Sequence, residues 1–287
     1  MSLLSQQLQA FMAIVEYGTV HSAAESLYLT QTAVTQRLRT LETKLRTTLF
    51  VRTRRGMVLT SEGEALLRYC NAAKELEGEA LAVIQGAGTK SEVQLSISGP
   101  TSIMRSRIIY NCLPVMKKYP NLLLHFAIND NENRHQELRA GHCDLAILQT
   151  QDVAKEMSCK ELAAEEYILV GPSTWRGRKT KEIIKNERII DFNPSDQVTF
   201  NYLKYYDLFA EAQHSRHFIN RTESLAMLVI EGLGYTALPK EFAKPYLDND
   251  KLIVLNSGKT LQVESVLAWY ERPEPPAYFS AIINSIK

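Results

Sequence analysis

The apolar residues of this chain keep two different rhythms, and the change between them falls at Gly86-Ala87-Gly88-Thr89. Upstream they recur at three- and four-residue steps, the period of helices packed on one face. Downstream, from Glu92, short apolar runs alternate with helical stretches, the pattern of α/β layers. A chain with both rhythms needs separate cores joined by a hinge, and 287 residues suffice for two or three domains.

The upstream part divides into short units. Leu4, Leu8, Phe11, Met12 and Val15 form a helical stripe that Gly18 closes. A second helix, about 22–27, opens on Ser22-x-x-Glu25, a capping-box pattern. After the turn Tyr28-Leu29-Thr30, Thr30 is a suitable N-cap for a third helix reaching about Leu45. Its inward face is Val34, Leu38, Leu41 and Leu45; its outward face is Gln31, Thr32, Thr35, Gln36 and Arg39. Leu49-Phe50-Val51 and Met57-Val58-Leu59 then read as two strands joined by Arg52-Thr53-Arg54-Arg55-Gly56, a hairpin with a basic tip. Ser61-x-x-Glu64 caps a long helix to about Gln85, along which Leu66, Tyr69, Ala73, Leu76, Ala80 and Val83 form a heptad-like seam. A single buried helix has the same stripe. With no other helix adjacent in sequence to cover it, a helix-to-helix dimer seam is the favoured reading.

Charge gives this N-terminal part a partner. The whole chain carries a net charge of only +1, yet residues 31–56 hold seven bases (Arg37, Arg39, Lys44, Arg46, Arg52, Arg54, Arg55) against the single acid Glu42, a net of +6. A local basic patch attracts phosphates whatever the overall balance. On the third helix, glutamine can pair with adenine, arginine with guanine, and threonine can offer its methyl to thymine in a major groove. An ordinary solvated face is the bland alternative, and the lack of neutralising acids argues against it.

Downstream, candidate strands are 93–97, 122–128, 144–148, 167–170, 188–191, 235–238 and 265–269, separated by helical stretches at 104–118, 136–140, 197–212 and 224–231. Such alternation predicts a largely parallel sheet with ligands at the carboxyl ends of its strands. Thr101 and Ser102 follow the first of these strands at a helix start, where unpaired N–H groups favour a carboxylate. Asn129 and Asp130 follow the second, Asn193 follows a strand further on, and Thr222 precedes a helix. Hydroxyls at helix starts are also ordinary caps, and that alternative stays open for each of them. Asp130 would suit a ligand amino group.

The run AAESLYLTQTAVTQRLRTLETKLRTTLFVRTRRGMVLTSEG resembles the helix-turn-helix of LysR-type transcriptional regulators. LPVMKKYPNLLLHFAI, AGHCDLAIL and EGLGYTALP resemble later motifs of that family in the family's order, so the resemblance spans nearly the whole chain. Thr32, Thr35 and Gln36 depart from the residues common there, which alters the base that is read. LTQTAV-x-QR with LFVRT is also similar to the branch that senses basic amino acids. The resemblance implies a winged helix-turn-helix over 1–60, a linker helix and hinge over 61–90, and an effector-binding domain over 91–287. That domain would be a two-lobed α/β fold of the type II periplasmic-binding-protein kind, with lobe I at about 91–162 and 266–287 and lobe II at about 163–265. It implies double-stranded DNA, a small-molecule effector and a second or further copy of the chain (dimer or tetramer) as partners, the third helix in the groove, and Arg52 on the DNA backbone.

Other chemistries find little support. Cys70, Cys112, Cys143 and Cys159 are far apart with no C-x-x-C pair, as expected of reduced, mostly buried thiols. His214-x-x-His217 and His142-Cys143-Asp144 lack further metal ligands nearby. Gly86–Ser91 mimics a phosphate loop without its G-x-x-x-x-G-K spacing. No G-x-S-x-G or paired-carboxylate pattern points to an enzyme, and no cofactor is expected. The N-terminus has no basic leader and no apolar run long enough to span a bilayer, so a cytoplasmic protein is expected. The rival readings are a solute-binding protein or enzyme on a two-lobed fold, and a structural DNA-binding protein. The first would not need residues 1–60; the second would have no use for the α/β part.

Overall fold

The computed structural model describes residues 4–53, 56–84, 92–130, 133–272 and 275–287. Helices α1 (Gln6–Tyr17), α2 (Val20–Ser26) and α3 (Gln31–Leu45) precede a hairpin of β1 (Phe50–Thr53) and β2 (Gly56–Leu59), and α4 (Ser61–Ile84) follows. Phe11, Ile14, Val34, Leu38, Leu41, Leu49 and Phe50 are buried together, with Leu67 and Cys70 of α4 closing the core. Each such large apolar side chain contributes about 1.5–3 kcal/mol on full burial.

Local signals account for most of these boundaries, with three exceptions. Gly18 ends α1 at φ 73°, and the Thr30 hydroxyl accepts the Ala33 N–H at 3.2 Å, as expected. The cap of α2, however, is Thr19, whose hydroxyl accepts the Ser22 N–H at 3.1 Å, so the helix starts two residues before the expected Ser22. At α4 the capping hydroxyl is Thr60, which accepts the Gly63 N–H at 3.0 Å, not Ser61. Leu45 is 44 % exposed, because the core beneath α3 ends at Leu41 and Arg46 turns the chain with a left-handed conformation. The hairpin sits against α1: Met57 N–H bonds to Gly18 O at 2.9 Å, and a Cβ on Gly56, at φ 122°, would lie 2.6 Å from that same oxygen. Glycine is required there by both backbone and space.

Beyond residue 91 the chain builds two lobes. Lobe I contains β3 (Val93–Gly99), α5 (Thr101–Ile103) continuing through a π-turn at Met104–Ile108 into α6 (Ile109–Lys118), β4 (Leu122–Ile128), α7 (Arg134–Arg139), β5 (Leu145–Leu148) and β6 (Met157–Glu161). Lobe II contains β7 (Glu165–Pro172), α8 (Thr180–Asn186), β8 (Ile189–Asp191), α9 (Val198–Tyr205), β9 (Arg216–Phe218), α10 (Thr222–Ile230), β10 (Thr236–Pro239), α11 (Lys240–Asp248), β11 (Leu252–Val254) and β12 (Thr260–Val263). The chain then returns to lobe I as β13 (Val266–Tyr270) and α12 (Ala277–Ser285).

The sheets are less parallel than the alternation predicts. In lobe I the order is β4-β3-β5-β13-β6, with β3 parallel to β4 and β5 but β13 antiparallel to β5 and β6. The returning strand enters from the other lobe and so runs in the opposite direction. In lobe II, β10, β11 and β12 all pair antiparallel with β7. Successive β7 residues face different cores, Leu169 packing with Ile189, Tyr202 and Tyr235, and Ile168 and Val170 with Val229 and Phe242. Burial on both faces makes β7 a near-continuous apolar run. Two crossings join the lobes, at 162–165 and 263–266, and the Glu165–Val263 pair holds them side by side.

Candidate nucleic-acid interface and effector cleft

On α3 the burial of Val34, Leu38 and Leu41 turns Gln31, Thr32, Gln36 and Arg39 to solvent, while Thr35 is half-buried. These five side chains share one face, as their spacing requires. A neighbour that the sequence did not single out joins them. His21 of α2 lies with Nδ1 3.0 Å from Gln31 Nε2 and Nε2 3.4 Å from Glu25 Oε1, so α2 holds the first residue of the exposed face. Among the surrounding bases, Arg37 is tied to Gln6 Oε1 at 2.9 Å. Arg52 is exposed on β1; Arg54 and Arg55 lie outside the described residues. The expected hinge at 86–89 lies outside them as well.

Helix α4 leaves the core with Tyr69 61 % exposed and Leu76 half exposed, whereas Leu66 packs against the N-terminal core. It also rests on lobe I. The Arg68 guanidinium donates to Arg139 O and stacks 4.0 Å from the Tyr270 ring centroid, and Arg139 Nε lies 2.8 Å from Glu64 Oε2.

Between the lobes lies a cleft of about 720 Å³, a size suited to a small molecule. Ser102, Asp130, Asn193 and Thr222 line it, as expected; Thr101 and Asn129 do not. Thr101 is buried, with its N–H 2.7 Å from Asp130 Oδ1 and its hydroxyl 3.0 Å from Asp130 Oδ2. The helix N-terminus that the sequence offered to a carboxylate therefore already holds one. Asn129 turns into lobe I, its Nδ2 3.4 Å from both Ser98 Oγ and Glu137 Oε2. Asn193 Oδ1 accepts the N–H groups of Ser195 and Asp196 at 2.8 and 2.9 Å, so it shapes its own turn at the cleft wall.

Asp130 does more than cap. Its Oδ2 also accepts the Thr222 hydroxyl at 3.1 Å, joining lobe I to the start of α10 in lobe II. Behind the 193–196 turn, Arg216 donates to Asp196 O and Pro194 O at 2.8 and 2.9 Å and pairs with the buried Asp191 at 2.8 Å. Burial pushes the Asp191 carboxyl up from its ordinary value, with the Arg216 hydrogen bond opposing.

The cleft floor holds residues the sequence did not single out. Glu165, Tyr167 and Ser265 line it beside Ser102, and Arg134, His135, Gln149, Gln151 and Asp152 line the lobe I side. Burial pushes the Glu165 carboxyl up to about 7, against the pull of Arg107 and the Ser102 hydroxyl. No spacing rule marks Glu165, because it is buried by the meeting of two lobes and not by its own strand. Among the described residues no group of three or more His, Cys, Asp or Glu is placed to hold a metal ion. His214 instead stacks on Phe209 with centroids 4.6 Å apart. Cys70, Cys112 and Cys143 are buried, which raises their thiol pKa values to about 11, 12 and 12, while Cys159 is exposed. Among the described residues no helix is long and apolar enough to cross a membrane.

Comparison with known proteins matches this architecture. Residues 5–64 match the family model "Bacterial regulatory helix-turn-helix protein, lysR family", and residues 88–287 match the "LysR substrate binding domain". The chain is 25 % identical over 243 residues to the nitrogen assimilation regulatory protein nac of Escherichia coli (83 % of this chain, 79 % of that protein). It is 27 % identical over 269 residues to the HTH-type transcriptional regulator SoxR of an Arthrobacter species (94 % and 86 %). Among solved structures, ArgP from Mycobacterium tuberculosis superposes with a TM-score of 0.79 at 24 % identity, covering 99 % of this chain and 96 % of that one. Full-length LysG from Corynebacterium glutamicum with bound effector Arg superposes at 0.74 and 18 % identity, covering 98 % and 95 %.

Proposed function

The chain belongs to the LysR family of transcriptional regulators, with a DNA-binding helix-turn-helix and an effector-binding domain, and from that premise we propose that its effector is a small molecule carrying both a carboxylate and a cationic group, such as a basic amino acid. The observation that carries this reading is the charge of the cleft wall. Among its described residues Asp130, Asp152, Glu165 and Asp196 face one arginine, Arg134, and one histidine, His135. Such a wall attracts a cation and repels a dianion. The likeness to LysG with bound arginine supports the same class. A ligand carboxylate has the Thr222 hydroxyl to bond, in competition with Asp130, while a ligand ammonium pairs with Asp130 without displacing it.

On the DNA side, α3 enters the major groove with Gln31, Thr32, Thr35, Gln36 and Arg39 toward the bases. Arg52, with Arg54 and Arg55 close behind it in sequence, neutralises phosphates. Two or four copies associate through the exposed stripe of α4 and through the effector domain, so that lobe closure re-angles the paired DNA-binding units. The ligand must favour one lobe arrangement for this to work, because equal affinity for both shifts nothing. Isothermal titration of L-arginine, L-lysine, L-leucine and glutarate into the full-length protein tests the effector class, alongside gel shifts on the chain's own upstream region. A basic amino acid is expected to bind tightest and to change the DNA complex. Tightest binding by glutarate or leucine overturns the reading.

A further inference from the structure

Resting on that reading, we propose that Glu165, at the floor of the cleft where the chain first crosses between lobes, receives the effector's side-chain cation and thereby selects a basic ligand over its neutral isostere. Glu165 is 7 % exposed and lines the cleft. It stands beside the wall hydroxyls of Ser102 and Tyr167, and Ser265 of the second crossing lines the same floor. Ser265 is 6 % exposed, and its buried Oγ has no hydrogen-bond partner among the described residues, although it borders the cavity. Burying a hydroxyl without a partner is unfavourable, so a polar group belongs there.

The other buried or half-buried acids of the wall have their charge compensated. Asp196 accepts the Phe192 and Val198 N–H groups at 3.1 and 2.9 Å, and Asp130 accepts one N–H and two hydroxyls. The charged groups facing Glu165 do not compensate it equally well. Burial outweighs the Ser102 hydroxyl and Arg107, whose charge is shared: Nη1 donates to Ala163 O at 2.6 Å, and Nε lies 3.3 Å from Glu241 Oε2. Glu241, on α11, repels Glu165. A buried carboxylate with this little compensation favours its protonated form, and an arriving guanidinium or ammonium reverses the preference. Binding of the cation then expels the proton from Glu165. With its carboxylate at the Thr222 hydroxyl, its α-ammonium at Asp130 and its side-chain cation at Glu165, the ligand touches both lobes.

The test compares charged and neutral isosteres, L-arginine with L-citrulline and L-lysine with 6-hydroxy-L-norleucine, by isothermal titration of the full-length protein. Each titration is run at pH 7 in two buffers of different ionisation enthalpy, and again at pH 6 and pH 8. Wild type is expected to prefer the cationic member of one pair and to release about half a proton at pH 7. Its affinity is expected to rise about tenfold from pH 6 to pH 8. Glu165→Gln is expected to bind that cation at least about tenfold more weakly, to lose the preference, and to release no proton. Glu165→Asp, checked by thermal melting, keeps the charge with a shorter reach and is expected to keep the preference at reduced affinity. If wild type prefers the cation but Glu165→Gln retains both preference and proton release, Glu165 is not the acceptor and the cationic-effector reading stands. If the Gln variant does not fold, unchanged affinity and preference in Glu165→Asp overturn the proposal instead. If wild type binds the neutral isosteres as tightly as the cations, the underlying reading falls with it.

Discussion

Single side chains set what the molecule can read at each end. On α3, Gln31 and Gln36 carry the amides proposed to pair with adenine, and His21 restrains Gln31 from the side. Gln36→Ala is expected to weaken binding to the specific site by about 1–3 kcal/mol while circular dichroism stays unchanged. A variant that holds its operator like wild type removes Gln36 from the reading face. At the cleft floor, Glu165 titrates near 7 in the folded chain against an ordinary 4.5. The folded state therefore binds this proton more tightly than the unfolded state does. Stability is full below about pH 4.5 and falls as pH rises through 7. Glu165→Gln, free of that loss, is expected to be more stable than wild type by about 3 kcal/mol at pH 8 and equal to it near pH 4, in ligand-free urea titrations. Equal stability at both pH values would mean that Glu165 is not strained in the free cleft.

At the scale of elements, the N-terminal unit was almost wholly legible because its rules act over three or four residues. Caps, glycine stops and apolar stripes are local interactions, and the departures were the choice between neighbouring hydroxyls, Thr19 over Ser22 and Thr60 over Ser61, and the exposure of Leu45. The hairpin is the element whose charge can be tested alone. Arg52 is exposed beside the tip, so Arg52→Ala is expected to reduce the slope of log affinity against log salt by about one, equally for specific and random duplexes. An unchanged slope with altered sequence preference would give Arg52 a base to read in place of a phosphate. The strands of lobe II were less legible. Arg216–Phe218, Leu252–Val254 and Thr260–Val263 are three or four residues long, too short for a period to emerge; the first takes its direction from pairing with β8 and the other two from pairing with β7.

For the whole molecule the decisive contact is Asp130, which binds Thr101 in its own lobe and Thr222 across the cleft, 92 positions away. A hydrogen bond to a charged acceptor contributes about 1.5–3 kcal/mol, roughly one to two factors of ten between closed and open lobes. Thr222→Val is expected to raise the radius of gyration of the ligand-free protein in small-angle scattering and to enlarge its change on saturation with effector. Identical curves for variant and wild type would leave the Asp130–Thr222 contact without a part in closure.

The residues by themselves determined the kind of molecule: a basic winged helix-turn-helix, a long apolar-striped helix and an α/β domain whose motifs follow the LysR order. Those features are written in spacing along the chain, and spacing survives without a folded core. The cleft is different, because it exists only where strands from two crossings meet. Four of the six expected cleft residues line it, but Thr101 and Asn129 turn away, and the carboxylate seat at Thr101 is filled by Asp130. Glu165 and Ser265 stand 100 positions apart and become neighbours of one cavity through the pairing of β7 with β12. Their burial, and hence the raised affinity of Glu165 for a proton, comes from exclusion of water by both lobes together, a property that no segment of the sequence has alone.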